Sequence, residues 1–180
     1  AFGLNGPPNR MECYDISHTQ GIAMVGSMVT FEQGTPSKKL YRRFNIRNVK
    51  GPDDFAAMEE VLTRRFKRYE ASQEQIKNGK QADPAFAMLP DLLIVDGGKG
   101  QLTRAIQVLE DFGLTEKVAL AGLAKQQEEV YLPNKKNSIL LPRNSQGLFL
   151  LQRIRDEAHL FAITAHRKWR NKMGIASRLD

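Results

Sequence analysis

The feature that most constrains this chain is Leu92-Leu93-Ile94-Val95, a wholly apolar and partly β-branched run. It stops at Asp96, and Gly97-Gly98 follow at once. Such a run suits a strand covered on both faces, as in the centre of an α/β sheet. Beyond the glycines, Leu102, Ala105, Ile106 and Leu109 recur at helical spacing. A carboxylate is thereby expected at the carboxyl end of a buried strand, where open α/β sheets place their ligands. The two glycines remove side chains beside it and let a backbone or a phosphate approach closely.

The rest of the chain supplies a sheet for that strand to join. Met11 to Ile16 and Ile22 to Phe31 read as two strands. Turn residues over Glu32 to Pro36 lead into a third, Lys39 to Ile46, and short connections make the three an antiparallel meander. Asp15 then lies on the first strand, close to its end. Pro52-Asp53-Asp54 opens a helix running from Phe55 to about Tyr69, with Met58, Val61, Leu62 and Phe66 as its buried stripe. Its far end, with Arg64, Arg65, Lys67 and Arg68, is either a solvated helix terminus or a DNA contact. The polar stretch from Ser72 to Asp83 reads as a loop or a helix extension. Val118 to Ala124 is a further strand, and Val130-Tyr131-Leu132 with Ile139-Leu140-Leu141 form a hairpin. A long helix starts near Gln146 and runs to about Lys172, with Leu148, Leu151, Ile154, Ala158, Phe161, Ala162 and Ala165 towards the core. This order describes an α/β fold with a mixed sheet and helices packed on it, a set that includes the ribonuclease H-like fold.

A length of 180 residues suits one ordinary domain. Residues 1–10 read as a linker remnant, 11–173 as the domain, and 174–180 as the start of another linker. No apolar run approaches a membrane span, so no membrane partner is expected. The single cysteine, Cys13, excludes an internal disulfide framework and fits a reducing cytosol. A net charge of +7 is compatible with a polyanionic partner and equally with a merely basic soluble protein.

Chemistry is expected where two aspartates, Asp15 and Asp96, end neighbouring central strands. Two carboxylates held together are costly unless a cation lies between them. Hard oxygen ligands suit Mg²⁺ or Mn²⁺, which favour in-line attack of water on a phosphodiester. The competing reading makes Asp15 the partner of a nearby arginine and Asp96 a turn residue. His159, in mid-helix beside the core face, reads as a metal ligand, a proton carrier, or a histidine satisfied by hydrogen bonds. His18 is expected to order the strand end. Arg155, His166, Arg167, Lys168 and Arg170 form a basic flank, and with Lys99 and Lys125 they are candidates to meet phosphates. The segment Gly97 to Gln101 lacks the spacing and the Lys-Ser/Thr pair of a P-loop.

Several segments together resemble the UvrC family, the incision subunit of bacterial nucleotide excision repair. They are ECYDISHTQG (Glu12 to Gly21), YRRFNI (Tyr41 to Ile46), the Asp53-Asp54 helix start, LPDLLIVDGGKGQL (Leu89 to Leu102), GLAK (Gly122 to Lys125) and IRDEAHLFAITAHRK (Ile154 to Lys168). The region resembled is the C-terminal endonuclease domain. The resemblance implies a ribonuclease H-like fold, bacterial cytoplasm, and incision of damaged double-stranded DNA 5′ to the lesion. It also implies UvrB as a partner, with UvrA engaged indirectly. Carried over by position, the catalytic set is Asp15, Asp96 and His159, with Asp15 and Asp96 holding Mg²⁺ or Mn²⁺. Asp54 matches a further family carboxylate, placed with Glu157 beside the ligand set. The alternative is a ribonuclease H-like module that docks DNA or UvrB without chemistry of its own.

Overall fold

The computed structural model describes residues 4, 6–19, 23–124 and 129–179, with side chains described throughout these except Thr19 and residues 165–179. The chain opens with two long antiparallel strands, β1 (Arg10–Thr19) and β2 (Ala23–Glu32). Gln33 and Gly34 take positive φ of 52° and 78°, the geometry of a tight reversal, and β3 (Thr35–Pro36) returns along β2. The expected third strand is shorter than its pattern suggested. Lys38–Leu40 form a 3₁₀ turn, and only β4 (Arg42–Asn45) pairs with β2. Proline at position 36 has no N–H to give a ladder, so pairing breaks there and resumes beyond the turn.

Helix α1 spans Asp54–Lys77, and the side chain of Asp53 caps it by accepting from the Ala56 amide at 3.1 Å. It runs past Tyr69, so the start of the polar stretch is helical. Then follow β5 (Leu92–Asp96), α2 (Lys99–Asp111), β6 (Ala119–Leu123), β7 (Glu129–Tyr131), β8 (Ile139–Leu140) and α3 (Gln146–Leu179). Helix α3 continues through 174–179, where the sequence was expected to enter a linker.

The strands form one sheet in the order β3-β2-β1-β5-β6-β7-β8, with β4 also on β2. β5 is parallel to both β1 and β6, and the other pairings are antiparallel. Every residue of β5 is buried, as its continuous apolar run requires. Alternation of side chains then sorts the core into two layers. Tyr14, Met28, Leu93 and Val95 meet α1 and α2 through Met58, Val61, Leu62, Phe66, Leu102 and Leu109. Met11, Cys13, Val29, Leu92 and Ile94 meet α3 through Leu151, Ile154 and Ala158. Gly26 lets α1 lie close, since a Cβ there would stand 2.4 Å from Cγ2 of Val61. Among the described residues no helix is long and apolar enough to cross a membrane.

The basic run on α1 divides in a way its sequence does not suggest. Arg65 is fully buried and grips Glu12 of β1 through Nε at 2.9 Å and Nη2 at 2.8 Å. Arg10 Nε donates to the same carboxylate at 3.1 Å, and the Tyr14 hydroxyl donates at 2.5 Å. Burial pushes the Glu12 carboxyl up, but the two arginines outweigh it and hold it below its ordinary value. The arginines also donate to the carbonyls of Ala85, Phe86 and Met88, fastening the segment before β5 to the sheet.

Candidate active site

Asp15 and Asp96 share the parity of the residues that face α3, Asp15 with Met11 and Cys13 and Asp96 with Leu92 and Ile94. Because β1 and β5 are parallel and paired as far as Tyr14↔Val95, the next residue of each strand is an aspartate at the same level. Both are buried, at 4% and 6% exposure. Helix α3 crosses over them and inserts His159. Its Nδ1 lies 2.9 Å from Oδ2 of Asp15, and its Nε2 lies 3.0 Å from Oδ2 of Asp96. These hydrogen bonds raise the imidazole to about 9 against the opposing effect of burial, so at neutral pH the ring is an imidazolium between two carboxylates. Cys13, two residues before Asp15, is fully buried beside the cluster, and burial with the two aspartates pushes its thiol well up. It is inert there.

One atom from each of Asp15, Asp96 and His159 lies within 4.8 Å of the others. Two carboxylate oxygens and an imidazole nitrogen around one point are a donor set that Mg²⁺ or Mn²⁺ accepts. The pair of buried carboxylates also supplies the negative charge that a dication would neutralise. The two carboxylates fit a divalent cation, with His159 a ligand only once its ring has lost a proton. Asp96 is followed by Gly97, whose amide donates to the Leu123 carbonyl at 3.0 Å, and by Gly98 at the start of α2. A Cβ at Gly98 would meet nothing within 4 Å, so there is open space two residues beyond Asp96.

The other expected residues are placed as follows. Asp54, the first residue of α1, lies 2.7 Å from Nε2 of His18, so the strand-end histidine is tied to the helix start. Glu157 accepts from the Tyr41 hydroxyl at 2.8 Å, next to the cluster but outside it. Lys99 is exposed, with Nζ donating to the Lys136 carbonyl at 3.1 Å. The Arg155 side chain is only 14% exposed and its Nη1 is buried without a hydrogen-bond partner, which leaves little of it to offer a phosphate. Lys125 lies outside the described residues. So do the side chains of His166, Arg167, Lys168 and Arg170, whose backbone belongs to α3. Sequence reasoning passed over Tyr41 and Arg43, which contact α3 on either side of His159. Their signals were the i, i+2 spacing and their place in the YRRFNI segment, neither of which names a role.

The family described as UvrC RNAse H endonuclease domain matches residues 1–163. The UvrABC system protein C of Dehalococcoides mccartyi is 51% identical over 180 residues, covering 100% of this chain and 28% of that protein. Its counterpart in Mycolicibacterium smegmatis is 48% identical over 183 residues, covering 100% and 26%. That of Methanosphaera stadtmanae is 50% identical over 179 residues, covering 98% and 29%. The chain thus spans less than a third of the length of these relatives. Among solved structures, human ENDOV is a remote likeness, with a TM-score of 0.39 and 15% identity over 66% of this chain and 46% of its own. With the family matched over nearly all of its length and about half its residues identical to these relatives, the chain belongs to the UvrC family and corresponds to its ribonuclease H-like endonuclease domain.

Proposed function

We propose that this domain is a divalent-metal-dependent endodeoxyribonuclease that hydrolyses one DNA strand 5′ to a bulky lesion in nucleotide excision repair. The observation that carries the reading is the convergence of Asp15, Asp96 and His159 on one point at the open end of two buried parallel strands. Membership of the UvrC family supports the repair role, with damaged duplex DNA as substrate and UvrB as partner in the longer protein.

Each residue has a distinct task. Asp15 and Asp96 are buried on strands fixed by pairing on both sides, so their oxygens are set before substrate arrives and need no reorganisation. A bound Mg²⁺ or Mn²⁺ would polarise the scissile phosphate and lower the pKa of the attacking water. The His159 side chain is 31% exposed, so its ring can pass a proton to solvent when one of its two aspartate bonds opens. The open space at Gly98 gives a sugar-phosphate backbone room beside Asp96. Lys99 and the basic end of α3 would meet phosphates, a contact independent of sequence and sensitive to salt.

The test is nicking of supercoiled plasmid in Mn²⁺, Mg²⁺ or EDTA by the wild-type chain and by Asp96→Asn and His159→Ala. Free Mn²⁺ is counted by electron paramagnetic resonance in the same samples. Metal-dependent nicking and Mn²⁺ uptake, both reduced in Asp96→Asn, are expected. Nicking that survives Asp96→Asn would place the chemistry elsewhere, and a chain that takes up no Mn²⁺ would be a docking module. A lesion-bearing duplex with one labelled end then maps the side of the cut.

A further inference from the structure

We propose that Arg43 of β4 and Tyr41, the residue just before that strand, are positioning residues, which fix the turn of α3 that carries His159 over the two aspartates. Next to His159, the core-facing residues of α3 are Ala158 and Ala162, both buried. Two methyl groups give the helix little lateral grip, so sliding or rolling over the sheet is cheap at this turn. Besides the bonds of His159 itself and the buried Leu151 and Ile154 further back, what resists it comes from Tyr41 and Arg43. The Tyr41 hydroxyl donates to Oε2 of Glu157 at 2.8 Å, and the Tyr41 ring meets Phe161 edge-on with centroids 5.2 Å apart. The Arg43 guanidinium lies 3.7 Å over the Phe161 ring, and its Nη2 donates to the Phe161 carbonyl at 3.1 Å. The residues two before and two after His159 are therefore both held from one short segment, Tyr41 to Arg43.

The brace also reaches the aspartate. Arg43 pairs with Ser27 on β2, and Ser27 pairs with Asp15 on β1, so one row across three strands links the clamp to the carboxylate. Ser27 is fully buried in that row. A shift of β4 relative to β1 is therefore resisted by the sheet ladder itself. Planarity explains the choice of arginine, since one guanidinium stacks on the ring and bonds the carbonyl at the same time, which an ammonium cannot do.

The inference rests on the nuclease reading only in its kinetic arm. The structural arm uses the metal-free chain labelled with ¹⁵N, in which the ring N–H signals of His159 report its bonds to Asp15 and Asp96. In Arg43→Ala, and more so in Arg43→Ala with Tyr41→Phe, those signals are expected to broaden or vanish. In Mn²⁺-dependent nicking, kcat should then fall by about 10- to 100-fold, the penalty of misplacing a catalytic group by about 1 Å, with KM unchanged. Arg43→Lys should recover only part of either readout. Should Arg43→Ala fail to fold, Arg43→Lys and Tyr41→Phe carry the same two measurements. Ring signals that persist in every variant overturn the proposal. So does a rise in KM and in salt sensitivity at constant kcat, which would make Arg43 a phosphate contact. If the wild type does not nick at all, the nuclease reading fails, and the ring signals still decide whether the brace exists.

Discussion

Asp15 and Asp96 hold opposite nitrogens of one imidazole from two strands that run side by side in the same direction. Parallel pairing makes this possible, because it sets the two aspartates level, each the residue after the last matched pair Tyr14↔Val95. In the metal-free protein the imidazolium and a divalent cation are alternative ways to neutralise one carboxylate pair. Asp96→Asn removes half of that pair while keeping its shape. It is expected to bring metal-dependent nicking to background and to weaken Mn²⁺ binding, with circular dichroism unchanged.

The His159 ring, raised from 6.5 to about 9, ties stability to pH. A cationic group with a raised folded value binds its proton more tightly in the native state. Its contribution is fully present below pH 6.5 and is lost as pH rises through about 9. Thermal unfolding in EDTA should therefore show Tm falling between those values. His159→Gln should flatten that part of the profile, and an unchanged slope would mean that the ring is not the group responsible.

Beneath the site, on the opposite face of β1, Glu12 and Arg65 form a fully buried pair. Removing Arg65 leaves Glu12 with Arg10 as its remaining cation and strips the Phe86 and Met88 carbonyls of their donor, so Arg65→Met should cost about 3–5 kcal/mol in urea unfolding. Replacing the whole cluster, as Glu12→Gln with Arg65→Met and Arg10→Met, should cost less than the sum of the single changes, because no buried charge is then left unpaired. Glu12, held below its ordinary value of 4.5, contributes stability above that pH, and this is lost as pH falls through the folded value.

Gly26 sets the distance between α1 and the sheet. Gly26→Ala drives a methyl group into Val61, and overpacking of this kind should cost about 1–3 kcal/mol. Val61→Ala in the same chain should return part of it, a coupling that a double-mutant cycle reads directly.

The sequence was most readable where local pattern and final environment agree. The apolar run before Asp96 could only be a covered strand, and it is buried along its whole length. The phase of α3 put His159 at the border of the core, which is where it meets both aspartates. Reading failed where a residue's partner lies far along the chain. Arg65 sits among Arg64, Lys67 and Arg68 and looks like one more solvated cation, until Glu12 arrives from 53 residues away. Glu157 was placed near the site, but its bond to Tyr41 spans 116 residues and leaves no trace in local spacing. The third strand looked continuous because periodicity does not register the 3₁₀ turn at Lys38–Leu40 that interrupts pairing.

Strand β1 carries both of these systems on alternate residues: Glu12 and Tyr14 turn towards α1, while Met11, Cys13 and Asp15 turn towards α3. A strand normally has one face that tolerates drift, and this one has none. A single residue inserted or deleted between Glu12 and Asp15 would change the parity of their spacing and put both acids on one face, so that either Arg65 or His159 loses its partner. Substitutions here are graded in their effect, but a change of length is not. The length of this short stretch should therefore be among the least variable properties of the fold.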